Sequence, residues 1–203
     1  MRRALLLLLL PLLGVTGPFN QGRDGTPTFS ESQRVHQVQV WECPKKVTDG
    51  KYITSWKTGS KQFKGTCAGG LFHGWWKAWH DNGEKRWEVE FNSGLMTGRF
   101  KSWHSNGEKW AIVDYVEGQR DGDYGVWTDD GQRVAWGAYV DGKRVGCWQE
   151  KYDNGEMKSK GAYNNDGEKA GKWFYWDAQG NRRKEVNGQD AQDECLIMFG
   201  PAL

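Results

Sequence analysis

Residues 94–118 read GLMTGRFKSWHSNGEKWAIVDYVEG, and residues 118–142 read GQRDGDYGVWTDDGQRVAWGAYVDG. The two stretches share three glycines at the same offsets, Gly94, Gly98 and Gly107 against Gly118, Gly122 and Gly131. The triplet recurs upstream at Gly70, Gly74 and Gly83, and downstream at Gly142, Gly146 and Gly155, then at Gly167, Gly171 and Gly180. The step is 24 residues until the last, where an additional Asn in Tyr163-Asn164-Asn165-Asp166-Gly167 makes it 25. A degenerate earlier unit is marked by Gly50 and Gly59, with Lys46 in place of its first glycine. A fixed period of this length identifies a repeat architecture, in which each unit buries its apolar side against its neighbours.

The third glycine follows Asn or Asp in the units of Gly83, Gly107, Gly131 and Gly155, a dipeptide suited to two-residue hairpin turns, and Gly180 occupies the same place in the last unit. The first two glycines bracket a second reversal. Each unit is therefore expected to be two short strands and two turns, and the chain an all-β, elongated antiparallel meander of five to six hairpins. Folding each hairpin symmetrically about its Gly-x-x-x-Gly segment sets Phe91 opposite Phe100, Tyr115 opposite Tyr124, Tyr139 opposite Trp148 and Tyr163 near Trp173. This makes a ladder of aromatic pairs on one face. Gly137 and Gly161 leave room beside the Tyr139 and Tyr163 rings. Strand alternation places Trp79, Trp103, Trp127 and Trp176 on the other face. Folding about the Asn-Gly turn sets Trp79 opposite Arg86, Trp103 opposite Trp110, Trp127 opposite Val134 and Trp176 opposite Arg183. The stripe lapses at Lys151, where Tyr152 is one place out of register.

The unit Gly-x-Tyr-x-x-Gly-x-x-x-Gly-x-Trp running on to Asn-Gly, seen from Gly137 through Tyr139, Gly142, Gly146 and Trp148 to Asn154 and Gly155, resembles the bacterial variant of the MORN repeat. The resemblance covers residues 41 to about 188. It implies a β-meander used for protein contacts, oligomer assembly or membrane-surface association. The last unit, Gly171-Lys172-Trp173-Phe174-Tyr175-Trp176 followed by Gly180, also resembles the choline- and glucan-binding wall repeats of secreted bacterial proteins, but doubled aromatics occur elsewhere only at Trp75-Trp76.

Composition agrees with a thin, aromatic-rich sheet. Among 203 residues there are 13 Trp, 7 Tyr, 8 Phe and 28 Gly, and the mean hydropathy is -0.83, so rings must supply most of the buried apolar area. Arg2-Arg3, the apolar run Ala4 to Leu13 and the small residues around Gly14 and Gly17 have the layout of a secretory signal peptide over residues 1–17. That run falls short of the ~20 residues a spanning helix needs. Residues 18–40 lack the repeat and read as a flexible linker, residues 41–188 as the array and residues 189–203 as an apolar C-terminal cap. Without Arg2 and Arg3 the 28 basic residues become 26 against 26 acidic ones. Charges of both signs are interspersed through every unit, which speaks against a nucleic-acid partner.

Cys43, Cys67, Cys147 and Cys195 are even in number on a chain read as secreted or periplasmic, so disulfides are expected. Cys43 with Cys67 is the preferred pairing, then Cys147 with Cys195. Cys43 and Cys67 lie one repeat apart, and a regular meander would hold their Cα atoms ~10 Å apart, so this pair requires a distorted first unit. Gly137-x-x-x-x-Gly142-Lys143 approaches a phosphate-binding loop, but Arg144 stands where Ser or Thr should bind magnesium, so no nucleotide is expected. His80 and His104 are equivalent positions without a third ligand, and no nucleophile and base are paired. The chain reads as non-enzymatic, with no cofactor. Its expected contact surface is the stripe Trp79, Trp103, Trp127 and Trp176 with Trp110, facing a protein or envelope glycan. A choline- or glycan-binding wall module, or a wall-polymer hydrolase using acidic residues such as Glu88, Glu90, Asp129 and Asp130, is the competing class.

Overall fold

The structure, a computed structural model, describes residues 38–187 and Cys195. The expected signal peptide, most of the linker, and the C-terminal cap apart from Cys195 lie outside these residues. Twelve antiparallel strands form one sheet in sequence order, with β1 and β12 at its two edges. They are β1 (Gly50–Ser55), β2 (Lys61–Ala68), β3 (Leu71–Trp79), β4 (Lys85–Asn92), β5 (Leu95–Trp103) and β6 (Lys109–Val116), then β7 (Gln119–Trp127), β8 (Arg133–Val140), β9 (Lys143–Lys151), β10 (Met157–Tyr163), β11 (Lys169–Trp176) and β12 (Arg182–Asn187). The expected all-β meander is the observed fold.

The two kinds of turn are exchanged relative to expectation. At the Asn-Gly turns the His80 carbonyl accepts from Gly83 N–H and His80 N–H donates to Glu84 O, the bonding of a three-residue loop. Gly83, Gly107, Gly131, Gly155 and Gly180 take φ between 80° and 91°, but none of the preceding Asn or Asp residues is left-handed. The two-residue turns are instead Ser93-Gly94, Glu117-Gly118 and Asp141-Gly142, where both residues have positive φ, 48° at the first of each pair. That is type I′ geometry, whose twist matches the flanking strands. Asn165 lengthens the equivalent turn before β11, where Asn164 and Gly167 close a three-residue loop.

Register moves accordingly. The extra turn residue sets Trp79, Trp103, Trp127 and Trp176 opposite Lys85, Lys109, Arg133 and Arg182, not opposite Arg86, Trp110, Val134 and Arg183. Across the I′ turns Phe91 pairs with Met96, Tyr115 with Arg120 and Tyr139 with Arg144, and across the longer turn Tyr163 pairs with Lys169. The second glycine of each triplet is not in the turn. Gly98, at φ 68°, bends β5 where Val89 alone faces Gly98, Arg99 and Phe100.

One face of the sheet is the core. Val89 and Val113 have no exposed surface, and Phe91, Phe100, Trp148 and Trp173 are almost completely buried. Tyr139 and Trp148 meet edge to face with centroids 5.1 Å apart, as do Tyr163 and Trp173 at 4.9 Å, whereas Phe72 and Trp76 stack. Ring size is matched to the residue beneath. A Cβ at Gly65, Gly137 or Gly161 would fall 2.1–2.4 Å from an indole atom of Trp76, Trp148 or Trp173. These glycines therefore seat the tryptophans rather than the neighbouring tyrosines Tyr139 and Tyr163. Each indole N–H donates to a carbonyl, that of Thr66, Ala138 or Ala162. In the two intervening units the same positions hold Val89 with Phe100 and Val113 with Tyr124.

Residues 38–43 cross the I′-turn ends like a strap. Trp41 N–H donates to Gly94 O and Cys43 N–H to Gly70 O, while Val38 lies against Gly118. Trp41 covers the core face, its ring 6.1 Å from Phe72 and 6.0 Å from Phe91. Cys43 thus approaches Cys67 from the sheet edge instead of from an adjacent unit, which brings their Cα atoms to 6.2 Å and permits the disulfide. Cys147 and Cys195 form the second. Both preferred pairings are present.

Candidate functional site

Trp79, Trp103, Trp127 and Trp176 all lie on the face opposite the core, half-buried, together with Trp110. Each of the first three carries a cation from the preceding unit over its ring: Lys61 at 5.8 Å from Trp79, Lys85 at 4.8 Å from Trp103 and Lys109 at 4.7 Å from Trp127. Trp110 stacks on His104, with centroids 5.2 Å apart, in place of the expected contact across the strand from Trp103. Trp127 is further held by Arg133, whose guanidinium lies 5.2 Å from both the Trp127 and Trp136 rings. Among the described residues the aromatic with the freest surface is Trp75, 53% exposed, on the same face; the sequence signal for it is the Trp75-Trp76 doublet.

The stripe is anchored through its backbone. The carbonyl of each stripe tryptophan receives a side chain from the unit before: Trp56 Nε1 to Trp79, His80 Nε2 to Trp103, His104 Nε2 to Trp127 and Tyr152 Oη to Trp176. Tyr152 therefore does not replace a stripe ring; it occupies the staple position of His80 and His104. Because a carbonyl oxygen can only accept, Nε2 of both histidines carries the proton and is unavailable as a metal ligand. Among the described residues no three His, Cys, Asp or Glu side chains converge on a possible metal site. A second ladder joins the turns, Asn82 Nδ2 donating to Ser105 O, Asn106 Nδ2 to Asp129 O and Asn154 Nδ2 to Ala178 O.

The charges between the rings are largely paired. Arg99 grips Asp114 with two hydrogen bonds of 2.7 Å and reaches Asp123 at 2.8 Å. The Arg99 hydrogen bond holds the Asp114 carboxyl below the usual carboxylate range, and the Asp114 bond raises Arg99 in return. Glu88 meets Lys85 at 3.0 Å and Lys77 at 3.8 Å. Glu90 stands opposite Trp75, and Asp129 and Asp130 lie exposed in a turn. Gly137, Gly142 and Lys143 run through β8, a turn and β9, with Trp148 over Gly137, a backbone unlike the strand–loop–helix that cradles phosphate.

On the core face the position two residues after each first glycine changes character along the array: Phe72, Met96, Arg120, Arg144, Lys169. Burial opposes the charge on Arg120, but the phenol oxygens of Tyr115, Tyr139 and Tyr124 outweigh it and the guanidinium is held firmly protonated. Residue-by-residue alignment of the units would have found this row; reading for aromatics alone passes over it. No family model matches the chain, and no curated protein sequence does.

Proposed function

We propose that this chain is a MORN-like repeat protein that acts by binding an extended protein or envelope glycan outside the cytoplasm, and performs no catalysis. The observation that carries this reading is the stripe itself. Trp79, Trp103 and Trp127 recur in successive units, two strand spacings or ~10 Å apart, each beside a cation and each fixed at its backbone. Such periodic, pre-ordered groups suit a linear partner, because binding then orders few side chains. Two disulfides are compatible with an extracellular or periplasmic location, and the signal-peptide layout of residues 1–17 supports the same compartment.

The test compares Trp103→Ala with Tyr139→Ala in chemical denaturation and in retention on envelope extract. Tyr139 is 6% exposed and in ring contact with both Tyr124 and Trp148, so its loss should cost about 3 kcal/mol. Trp103, half-buried beneath Lys85, should cost on the order of 1 kcal/mol yet weaken retention. If Trp103→Ala unfolds the protein as severely as Tyr139→Ala while the folded fraction binds normally, the stripe is structural and the reading fails. Cleavage of wall polymer that one carboxylate substitution abolishes would establish the competing hydrolase.

A further inference from the structure

We propose that the C-terminal half of the core face holds a second binding site, independent of the tryptophan stripe, in which Arg120, Arg144 and Lys169 take a linear polysaccharide bearing one carboxylate per disaccharide. The first two units close this edge with apolar groups, Phe72 and Met96, under the strap and Trp41. The strap meets Gly118 through Val38. From the next unit onward the equivalent position is cationic.

Each cation lies against rings and a phenol oxygen. Arg120 sits 5.3 Å from the Tyr139 centroid and donates to its hydroxyl at 3.2 Å. Arg144 sits 4.3 Å from Trp148 and donates to the Tyr163 hydroxyl at 3.2 Å. Lys169 sits 4.6 Å from Trp173 and donates to the Tyr175 hydroxyl at 2.7 Å. Opposing charge is short. Arg144 meets Glu150 at 3.2 Å, a carboxylate also 3.8 Å from Lys158, whereas among the described residues neither Arg120 nor Lys169 has a carboxylate within ion-pair distance. Arg120 is half-buried without counter-charge, which is costly to maintain and which an incoming carboxylate relieves, while Lys169 is exposed and open to the same ligand.

Spacing selects the ligand class. Equivalent residues stand two strands apart, so the cations step by ~10 Å, the extended length of a β-linked disaccharide. An alternating uronate–hexosamine chain presents one planar carboxylate per step to a guanidinium fork or ammonium, and its apolar sugar faces to the partly buried Tyr163 and Tyr175. An acidic polypeptide strand covers that step in three residues, but its side chains alternate between two sides, so the third carboxylate falls on the side away from the cations.

The test is calorimetric titration of the oxidised protein with glucuronate–N-acetylglucosamine oligosaccharides of increasing length, beside neutral chitin oligosaccharides, polyglutamate and dextran sulfate. Affinity should rise from one to three disaccharides with the uronate series and be absent with chitin. Arg120→Met and Arg144→Met copy the residue already present at Met96, and each should weaken binding roughly tenfold or more at unchanged melting temperature. Arg120→Lys, which keeps the charge without the fork, serves should a Met variant fold poorly, and should also bind more weakly. Trp103→Ala should leave this affinity unaltered, which separates failure here from failure of the stripe. Equal binding of chitin, tighter binding of polyglutamate or dextran sulfate, no binding of the uronate series, or full affinity in folded Arg120→Met would each overturn the proposal.

Discussion

Replacing Gly137 by valine should drive Trp148 from its seat, and replacing Trp148 by tyrosine at the same time should add no further loss. A Cβ on Gly137 would lie 2.2 Å from Trp148 Cε2 and 2.3 Å from Cδ2, atoms at the root of the indole that no small rotamer adjustment clears. The Gly137 backbone itself is ordinary, so the penalty is steric. Displacing the ring costs about 3 kcal/mol for overpacking, and about 1 kcal/mol more for the lost hydrogen bond from Nε1 to Ala138 O. Trp148→Tyr alone removes part of a side chain that is 1% exposed and should cost about 2–3 kcal/mol. Together the two changes rebuild the pair Val113 and Tyr124 found one unit earlier, both buried, where the valine fills the volume the second indole ring would take. A coupling of about 2–3 kcal/mol is therefore expected, leaving the double variant no less stable than Gly137→Val alone. Urea unfolding of the oxidised proteins, followed by far-ultraviolet circular dichroism, measures the cycle. Strictly additive losses would refute the argument that ring size and underlying residue are selected as a pair.

Glu117 holds φ at 48° in a turn where the first unit has Gly69 at the equivalent place, so Glu117→Gly should raise stability by about 0.5–1 kcal/mol, measured as an upward shift in melting temperature. The disulfides close separations of 24 and 48 residues, for which loop-closure entropy gives about 3 and about 4 kcal/mol. Cys147→Ser with Cys195→Ser should thus destabilise the array at least as much as Cys43→Ser with Cys67→Ser. Non-reducing peptide mapping of the wild-type chain should recover both linked pairs, and four free thiols would remove this reasoning.

Several features were open to reading from residues alone. The glycine triplets report the backbone directly, because left-handed φ at a turn is tolerated by little else, and their constant offsets imply identical units stacked in order. Disulfides were expected from the even cysteine count, while the preferred pair Cys43 and Cys67 lay too far apart in a regular meander and is joined because the strap brings Cys43 in at the sheet edge. The two aromatic faces followed from strand alternation. Turn type was harder: Asn106-Gly107 satisfies both a two-residue I′ turn and a three-residue loop with glycine last, while Glu117-Gly118 gives little propensity signal for the I′ turn it forms. One residue of turn length decides which side chain faces which.

Period, strand alternation and the oxidised cysteines are thus local or additive properties, and the amino-acid order by itself determined an all-β array with two aromatic faces and two bridges. Tertiary structure alone decided which aromatic face is the core, that Lys85 and Lys109 cover the stripe, that His80 and Tyr152 staple successive units, and that Arg120, Arg144 and Lys169 align beside the core rings. Those facts depend on register, and register is set by bulges and turn lengths summed across neighbouring strands. A shift of one residue changes every cross-strand partner while leaving composition and period untouched.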